Sequence, residues 1–530
     1  MRSVLLRSIE RQSVEKTVPL DDGMNISDGG AKVRAEHESL SGYLSDHFSS
    51  NELARPLVVS FSQWEMNTSV VGEIAATLHS MKANVAVALW ADKTPMRDVG
   101  WTTSHSLARL FLSPARDQRV ARGLRDLGMA RDALCEPPLR RWRPQKDLPL
   151  VDSLERSSIR DLEYRGAPVG RAILQVHPDS ETPVREDFVW PRRWVEASLE
   201  SFAYAYDQVW EVVEQRRSTC LIVFNGRFLH DAAAHAAAES HGLPVLSFDF
   251  GGNETDYDLT CDATHDWSAL QDRMKKLYSS WDENDRDEVG SRWFDERRRH
   301  EDKRNARFVE SQVVGRGIEL PRDKRIVVFF SSSGDEISEL DVDWGKFFFG
   351  QPGALAAVAQ ICRENQDTFL VVRTHPHKRM KARLDVEDWH KAVETAGPDL
   401  HLDEWSDVDS YTLMDLADVV VTFGSTTGVE AAYAKKPVIV LGPSAYDELE
   451  CAANPANAND LQVQISAPQR GTWQGAVSYG LMMLRRGFHF EWIRKSQDGL
   501  ELGGVRLVDS IMLVLNLSDW SARRQARRLQ

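Results

Sequence analysis

Residues 418–442 read DVVVTFGSTTGVEAAYAKKPVIVLG. The apolar run 419–423 predicts a strand, residues 427–434 predict a helix, and residues 437–441 predict a second strand. A strand, a crossover helix and a parallel strand form the repeating unit of an open α/β sheet. The pattern therefore predicts a parallel sheet covered by helices at this point of the chain.

The turn inside this unit is rich in glycine and hydroxyl groups, which suits ligand binding. Gly424 leaves room for a ligand to approach the backbone, and Ser425, Thr426 and Thr427 add hydroxyls at a helix start, where N–H groups favour anions. Glu430, one turn into the helix, could accept hydrogen bonds from sugar or ribose hydroxyls. The alternative interpretation is an ordinary capped helix without a ligand.

The same alternation of strands and helices continues on both sides of this stretch. In the C-terminal half the further predicted elements are strand 325–331, helix 353–364, strand 368–374 and helix 378–395. In the N-terminal half they are strand 56–61, helix 70–82, strand 84–90, strand 220–224, helix 228–241 and strand 244–249. We predict an α/β protein of two doubly wound, Rossmann-like lobes with a cleft between them.

Changes in composition divide the chain into five predicted segments. They are a loosely ordered arm at 1–54, an N-terminal lobe at 55–280, a charged helical linker at 281–314, a C-terminal lobe at 315–490, and an amphipathic basic helix at 491–530. Acidic and basic residues alternate densely in the linker, so we expect a solvated helix there. The basic tail either rests on an anionic membrane surface or packs back across the first lobe.

The overall composition excludes several classes of protein. The 530 residues exceed what one hydrophobic core usually supports, which agrees with two domains. Because the 65 Lys and Arg face 80 Asp and Glu, the formal charge is −15, which argues against a nucleic-acid partner. The five cysteines are scattered and never form a Cys-x-x-Cys pair, so we expect reduced thiols and neither a disulfide framework nor a zinc site.

A second motif follows the predicted strand 368–374. Arg373 and His375 come at its end, the edge at which open parallel sheets bind ligands. Arginine can bind phosphate through two N–H groups, and histidine can donate to a phosphate or to a leaving group. The competing interpretation is a structural His-Pro loop.

Two further strand ends carry polar side chains. Strand 325–331 ends in Ser332 and Ser333, followed by Asp335 and Glu336; either carboxylate could be a general base, or could only cap the next helix. In the first lobe the corresponding polar residues are Asn225, Arg227 and Asp249. These suit an acceptor pocket, or equally two tight turns in which glycine supplies unusual backbone angles.

The order of the four motifs resembles that of a known family. Residues 224–227, 329–336, 373–376 and 422–437 follow one another as in bacterial capsule and surface-polysaccharide biosynthesis proteins, which are GT-B-type glycosyltransferases. The pattern is similar to that of Kdo transferases, polysialyltransferases and CDP-glycerol polymerases, which share a His-Pro motif and a Ser/Thr motif. The resemblance spans roughly residues 55–490.

The resemblance implies transfer of a sugar from a nucleotide donor, with a lean towards a CMP-sugar, to a growing surface or capsular polysaccharide. The alternatives are a CDP-polyol phosphotransferase and a non-catalytic nucleotide- or glycan-binding relative. The acidic-acidic-Gly triplet of polysialyltransferases occurs only at 21–23, so the resemblance does not identify the catalytic base. The expected catalytic residues are Asp335, Glu336 and His375. The expected donor residues are Arg373, His375, Gly424, Ser425, Thr426, Thr427, Glu430, Ser332 and Ser333.

We expect no cofactor and no metal, because Arg373, His375 and a helix N-terminus would stabilise the leaving phosphate. The expected partners are the nucleotide-sugar donor and a glycan or glycolipid acceptor, the latter held by Asn225, Arg227 and Asp249. No secretory signal and no spanning segment is predicted, so we expect a cytoplasmic protein. Peripheral contact at the inner face of the cell membrane is expected in the alternative in which the basic tail rests on it.

Overall fold

The computed structural model describes residues 39–61, 65–90, 118–135, 148–175, 187–253, 255–262, 266–302, 305–333, 350–496 and 499–507. The strands are β1 (Pro56–Ser60), β2 (Ala86–Leu89), β3 (Leu134–Cys135), β4 (Cys220–Phe224), β5 (Val245–Phe250), β6 (Asp256–Thr260), β7 (Arg325–Phe330), β8 (Thr368–Arg373), β9 (Leu400–Leu402), β10 (Val419–Thr422), β11 (Val438–Val440), β12 (Phe488–His489), β13 (Ile493–Ser496), β14 (Gly499–Leu502) and β15 (Val505–Arg506).

Helices connect most of these strands. They are α1 (Leu40–His47), α2 (Glu65–Ser80), α3 (Arg156–Arg160), α4 (Val169–Gln175), α5 (Arg192–Arg216), α6 (Leu229–Ser240), α7 (Trp267–Ser280), α8 (Glu283–Arg298), α9 (Ala306–Val309), α10 (Gly350–Glu364), α11 (Arg383–Ala396), α12 (Ser410–Leu416), α13 (Thr427–Tyr433), α14 (Ala458–Ser466) and α15 (Trp473–Arg485). A further helical segment covers 118–126, and short 3-10 helices span Arg131–Ala133 and Pro376–Met380.

The strands form two large sheets, which confirms the predicted α/β class with two Rossmann-like lobes. The N-terminal sheet has the order β12-β6-β5-β4-β1-β2-β3. The five strands β5, β4, β1, β2 and β3 pair in parallel, β6 pairs antiparallel with β5, and β12 pairs antiparallel with β6. The C-terminal sheet has the order β11-β10-β7-β8-β9 and is parallel throughout. Strand order reverses beside β7, the first strand of this lobe, which is where doubly wound sheets bind ligands.

Each sheet has an apolar core on both faces. In β7, Ile326, Val328 and Phe330 pack in one cluster while Val327 and Phe329 pack in another. Continuous β-branched and aromatic runs produce this arrangement, because a parallel strand covered by helices on both sides buries every side chain. This is why the strand positions could be predicted from short apolar runs.

The charged linker is helical, and one of its faces packs on the rest of the protein. One face of α8 packs against α15 so closely that a Cβ on Gly480 would lie 2.3 Å from the Gly290 carbonyl oxygen. On the same side the Phe294 ring stacks on Tyr433 with centroids 4.2 Å apart. The alternating charges therefore cover only the remaining faces of the helix.

Both ends of the described chain differ from the prediction. Residues 40–47 form α1, which buries Leu40 and Leu44, so the expected loose arm does not extend to residue 54. After α15 the chain returns to the N-terminal lobe, where β12 pairs with β6, and β13 to β15 form a small antiparallel sheet instead of the expected helix. Residues 1–38 and 508–530 lie outside the described residues, and the remaining domain boundaries stay predictions.

The carboxylate of Glu73 anchors this returning segment. It lies buried on α2 and accepts hydrogen bonds from the backbone N–H groups of Glu491, Trp492 and Ile493, at 2.7 to 3.2 Å. Residues 491–493 therefore pack on the first lobe, while the basic end of the tail lies outside the described residues and both alternatives for it stay predictions. Within the described part of the chain, every helix is too short or too polar to cross a bilayer.

Candidate functional site

Three neighbouring strand ends of the C-terminal sheet lie at the same level. Thr422 of β10 pairs with Phe330 of β7, and Phe330 pairs with Arg373 of β8. The predicted motifs begin directly after these residues. The fold therefore brings the hydroxyl-rich turn after β10, the serines after β7 and His375 to one edge of the sheet.

Hydrogen bonds connect the ends of β7 and β8. The Ser331 hydroxyl accepts from the backbone N–H of His375 at 2.8 Å. The N–H of Ser332 donates to the Gln351 side-chain oxygen at 2.5 Å, and the Gln351 amide donates back to the Ser332 carbonyl at 3.3 Å. Gln351 was not predicted, because nothing in its local sequence indicates this contact.

The remaining candidates after β7 are only partly placed. Ser332 and Ser333 are half-buried at the strand end, next to the other two motifs. Asp335 and Glu336, the predicted alternatives for the general base, lie outside the described residues. Their roles stay predictions.

His375 is a neutral hydrogen-bond donor. Its Nδ1 accepts from the His377 backbone N–H at 3.1 Å, so the ring proton is on Nε2. Burial lowers the pKa of His375 to about 3, and nearby positive groups lower it further, those of His377, Lys378, Arg373 and Lys381. The Phe308 ring packs edge-on against the imidazole, with centroids 5.5 Å apart. The imidazole can therefore donate to an anion at neutral pH without carrying a charge.

Arg373 has a structural contact instead of the predicted phosphate contact. Its side chain is 1% exposed, and its guanidinium donates to the backbone carbonyls of Asp403 and, at 3.1 Å, of Ser406. Burial lowers the pKa of Arg373 to about 10. The prediction that Arg373 binds donor phosphate is therefore wrong, because the guanidinium faces the loop after β9.

In the turn after β10, backbone N–H groups donate to hydroxyl groups of the turn itself. The Ser425 N–H donates to the Thr422 hydroxyl at 3.1 Å, and the Thr427 N–H donates to the Ser425 hydroxyl at 3.3 Å. Tyr446 donates to the Ser425 carbonyl at 2.5 Å, while Thr426 is exposed. The open anion site expected at the helix start is therefore reduced, and hydroxyl groups are the main donors that this turn can offer a ligand.

Gly424 is required for the shape of this turn. Its φ is +80°, and a Cβ placed there would lie 2.2 Å from the Pro443 carbonyl oxygen. Gly424→Ala should therefore lower the free energy of unfolding by more than the about 1–2 kcal/mol that a left-handed backbone costs an L-residue. Urea denaturation of both proteins measures the loss.

Gly315→Ala is the matched control, because Gly315 has φ +76° but nothing within 4 Å of the added Cβ. The excess loss of Gly424→Ala over this control reports the contact with Pro443. Equal losses for the two variants would contradict the close approach.

Glu430 does not have the predicted sugar contact. It is 7% exposed, and its Oε1 accepts from Arg297 Nε at 2.7 Å. The same guanidinium donates to Asp302 at 3.1 Å and to Asn305 at 3.2 Å. Tyr411 neighbours the same carboxylate: burial raises the pKa of the Tyr411 hydroxyl, and the negative charge of Glu430 raises it further. Glu430 therefore joins α13 to the linker through a buried ion pair, and sequence spacing alone does not indicate that partner.

In the N-terminal sheet, Phe224 and Phe248 are paired, so the residues after them also meet at one edge. The Asn225 amide donates to Asp249 Oδ2 at 2.7 Å, and both residues line a cavity of about 140 Å³. Asn225 adopts φ +46°, so the tight-turn interpretation also holds. Arg227 is not part of the cavity lining, and its guanidinium lies 5.0 Å from the Phe228 ring centroid.

Residues that were not predicted complete this cavity. Trp267, Thr260 and the Arg273–Asp258 ion pair, 2.6 Å between Nη2 and Oδ1, contribute to its lining. Arg486, from beyond α15, closes one side. These residues come from antiparallel β6, from α7 and from the returning chain, none of which the sequence pattern predicted.

Asp-x-Asp pairs, typical of metal-dependent glycosyltransferases, occur at 256–258, 285–287, 341–343 and 407–409. Among the described ones, Asp258 pairs with Arg273, Asp407 pairs with Arg316 at 2.6 Å, and Asp409 accepts from the Gly315 N–H at 3.1 Å. Residues 341–343 lie outside the described residues. The expectation of metal-free chemistry stays a prediction.

Comparison with known protein families finds a match in the C-terminal lobe. Residues 318–476 match the family model described as capsule polysaccharide biosynthesis protein. The matched segment contains the strand-end site and runs from before β7 to the first turn of α15. The predicted resemblance to capsule and surface-polysaccharide proteins is thereby confirmed over this lobe. A search of curated proteins finds no match to the chain.

Solved structures that are similar to the chain include a transferase, a polymerase and an epimerase. A beta Kdo 2,7 transferase, KpsC, from Thermosulfurimonas dismutans is 15% identical with a TM-score of 0.33, covering 52% of this chain and 80% of its own. The wall teichoic acid polymerase TagF is 13% identical with a TM-score of 0.19, covering 36% and 38%. A UDP-GlcNAc 2-epimerase from Neisseria meningitidis is 11% identical with a TM-score of 0.27, covering 82% and 94%. TM-scores this low assign neither substrate nor residue roles.

Proposed function

We propose that this chain is a glycosyltransferase that moves a sugar from a nucleotide-activated donor to a growing surface or capsular polysaccharide. The observation that supports this most directly is the meeting of His375, the serines after β7 and the Ser425–Thr427 turn at three paired strand ends. The match to the capsule polysaccharide family covers the same lobe. Both point to a donor site in the C-terminal lobe.

In this proposal the donor phosphate lies against the edge of the C-terminal sheet. The Nε2–H of His375 and the hydroxyls of the turn donate to oxygens that gain charge as the sugar leaves. A bond forms between the acceptor oxygen and the anomeric carbon, the bond from that carbon to the phosphate oxygen breaks, and the electron pair leaves with the nucleotide. The hydroxyl proton passes to a base, for which Asp335 and Glu336 stay the candidates.

The cavity beside Asn225 and Asp249 suits the acceptor side. Asp249 Oδ1 accepts from the Phe250 N–H at 2.7 Å and Oδ2 accepts from Asn225, which fixes the carboxylate at the cavity wall. Carboxylate, amide and indole groups bind sugars through hydroxyl contacts and stacking. We propose that this cavity holds the glycan end to which the sugar is transferred.

The finer features of the proposal are a cytidine nucleotide as donor, catalysis without a metal ion, and a cytoplasmic location near the inner membrane face, where nucleotide donors and lipid-linked acceptors meet. The choice of cytidine rests on the sequence resemblance alone. The alternative of a CDP-polyol phosphotransferase would use the same phosphate contacts, so the donor has to be identified by experiment.

Donor profiling with the purified chain tests the proposal. Calorimetry against CMP, CDP, UDP and GDP should show binding of one nucleotide, and nucleotide release should occur with the matching nucleotide-sugar and a glycan acceptor. Turnover with CDP-glycerol or CDP-ribitol alone would replace the proposal by the polyol alternative. Absence of binding for all four nucleotides would contradict a donor site.

A further inference from the structure

We propose that Trp405 is a stacking platform for the base of the donor nucleotide, and that Arg373 is the positioning residue that holds it. This inference deepens the proposed function and rests on it. It gives a role to the buried arginine that does not reach phosphate. It also names a base-binding residue that none of the sequence motifs contains.

Trp405 is unusually exposed for a tryptophan. Its side chain is 58% exposed, and among the exposed large apolar side chains of the described residues it is the one aromatic ring. Tryptophan is normally largely buried, since exposing an indole forfeits the free energy of removing its surface from water. An exposed indole on a well-held loop is therefore a candidate for contact with a ligand.

The loop that carries Trp405 is held by its own backbone bonds and by Arg373. The Trp405 N–H donates to the Asp403 carboxylate at 3.0 Å, which closes a short turn. From below, the buried Arg373 guanidinium donates to the carbonyls on either side of the indole residue, those of Asp403 and Ser406. A fully buried cation is costly to desolvate, so its use on two neutral carbonyls indicates that the position of this loop matters.

The loop also lies beside the predicted phosphate site. The Thr374 N–H donates to the Leu402 carbonyl at 2.8 Å, so β8 and β9 stay paired up to the residue before His375. Asp403 and Trp405 follow directly on the β9 side. The Arg379 guanidinium, which pairs with Glu310 at 2.6 Å, lies 5.9 Å from the indole centroid. Trp405 thus emerges at the same sheet edge, one strand away from the imidazole.

A nucleobase is the part of the proposed donor that fits such a platform. Every base has a flat π-face, and stacking on an aromatic side chain contributes to binding without depending on which base is present. The phosphate would then lie towards His375 and the hydroxyl turn, and the base towards β9. In this proposal, stacking on Trp405 contributes to the affinity for the donor nucleotide, and other residues select the base.

The test compares Trp405→Ala with Trp405→Phe, using two probes. The probes are the tightest-binding nucleotide of the donor panel and ribose 5-phosphate, which lacks a base. Trp405→Ala should weaken nucleotide binding by about 10- to 100-fold and raise the donor KM similarly, with kcat nearly unchanged. Binding of ribose 5-phosphate should not change. Trp405→Phe should restore most of the nucleotide affinity, and Leu416→Ala, which removes another exposed apolar side chain of this lobe, should have no effect.

Arg373→Lys tests the positioning role. It should raise the donor KM in the same direction as Trp405→Ala, and the double variant should bind no more weakly than Trp405→Ala alone, because both changes remove one interaction. A lower kcat with an unchanged donor KM, or fully additive losses, would contradict positioning through Trp405.

Three outcomes would overturn the inference about the base. They are unchanged nucleotide binding in Trp405→Ala, equal weakening of nucleotide and ribose 5-phosphate, and loss of glycan-acceptor binding with donor binding intact. The wild-type protein separates this inference from the proposed function. If the wild type binds no nucleotide, the proposed function fails; if it binds one and Trp405→Ala binds it equally well, only this inference fails.

Discussion

Replacing His375 with alanine is expected to lower kcat for sugar transfer by about 100- to 1,000-fold. The physical reason is the loss of the Nε2–H donor at the sheet edge where the leaving phosphate gains charge. The bond from the His375 N–H to Ser331 does not involve the imidazole and is kept, whereas the bond from the His377 N–H to the imidazole is lost. Steady-state rates at saturating donor, with circular dichroism of both proteins, measure the effect.

The matched control is His235→Ala, which removes a partly exposed histidine of α6 that pairs with Glu239 at 3.4 Å. His375→Gln should recover part of the rate, since a carboxamide N–H can donate in the same direction. Because the pKa of His375 is lowered to about 3, the ring stays neutral throughout the range from pH 5 to 8. The wild-type and His375→Gln rates should therefore change with pH in parallel. If His375→Ala transfers sugar at or near the wild-type rate, the imidazole is not the hydrogen-bond donor to the leaving phosphate.

Replacing Glu430 with alanine is expected to lower the free energy of unfolding by about 1.5–3 kcal/mol. The substitution removes the closer of the two carboxylates that pair with the buried Arg297 guanidinium and leaves Asp302, at 3.1 Å, as the remaining one. The sequence motif alone predicts a different result, a stable protein that has lost its sugar contact. Chemical denaturation separates the two, since only the buried ion pair predicts a shifted midpoint.

The neighbouring residue Arg298 provides the control. It pairs with Asp415 at the surface, where the side chains are 42% and 45% exposed, so Asp415→Ala should change stability by less than about 1 kcal/mol. Replacing both partners of the pair, as Arg297→Met with Glu430→Leu, should recover part of the loss, because the buried guanidinium and its closer carboxylate are both removed and only Asp302 keeps its charge. If Glu430→Ala unfolds at the wild-type midpoint but loses donor binding, the carboxylate contacts the sugar after all.

The strands that could be predicted are those with apolar runs buried on both faces. β4 has the predicted bounds, and β7 and β8 end within one residue of them. β6 and β9 were missed, because Asp256–Thr260 alternates acidic and apolar residues and Leu400–Leu402 is only three residues long. Such strands form because a neighbouring strand offers its edge, and that information lies elsewhere in the chain.

The order of elements along the chain is sufficient to bring the site residues together. In a parallel sheet the carboxyl ends of neighbouring strands share one edge, so His375 and the Ser425–Thr427 turn had to meet once β7, β8 and β10 were recognised. The same reasoning places Asn225 beside Asp249. Local apolar patterns carry this information, because they specify where each strand ends.

Which of these side chains a ligand can reach was decided by packing between distant segments. Glu430 is paired with Arg297, 133 residues earlier, and the Arg373 guanidinium is held by carbonyls 30 and 33 residues later. Trp405 is exposed on the loop whose carbonyls Arg373 holds. Charge pairing and burial depend on the whole folded environment of a group, so a motif can locate the edge of the site but cannot assign its contacts.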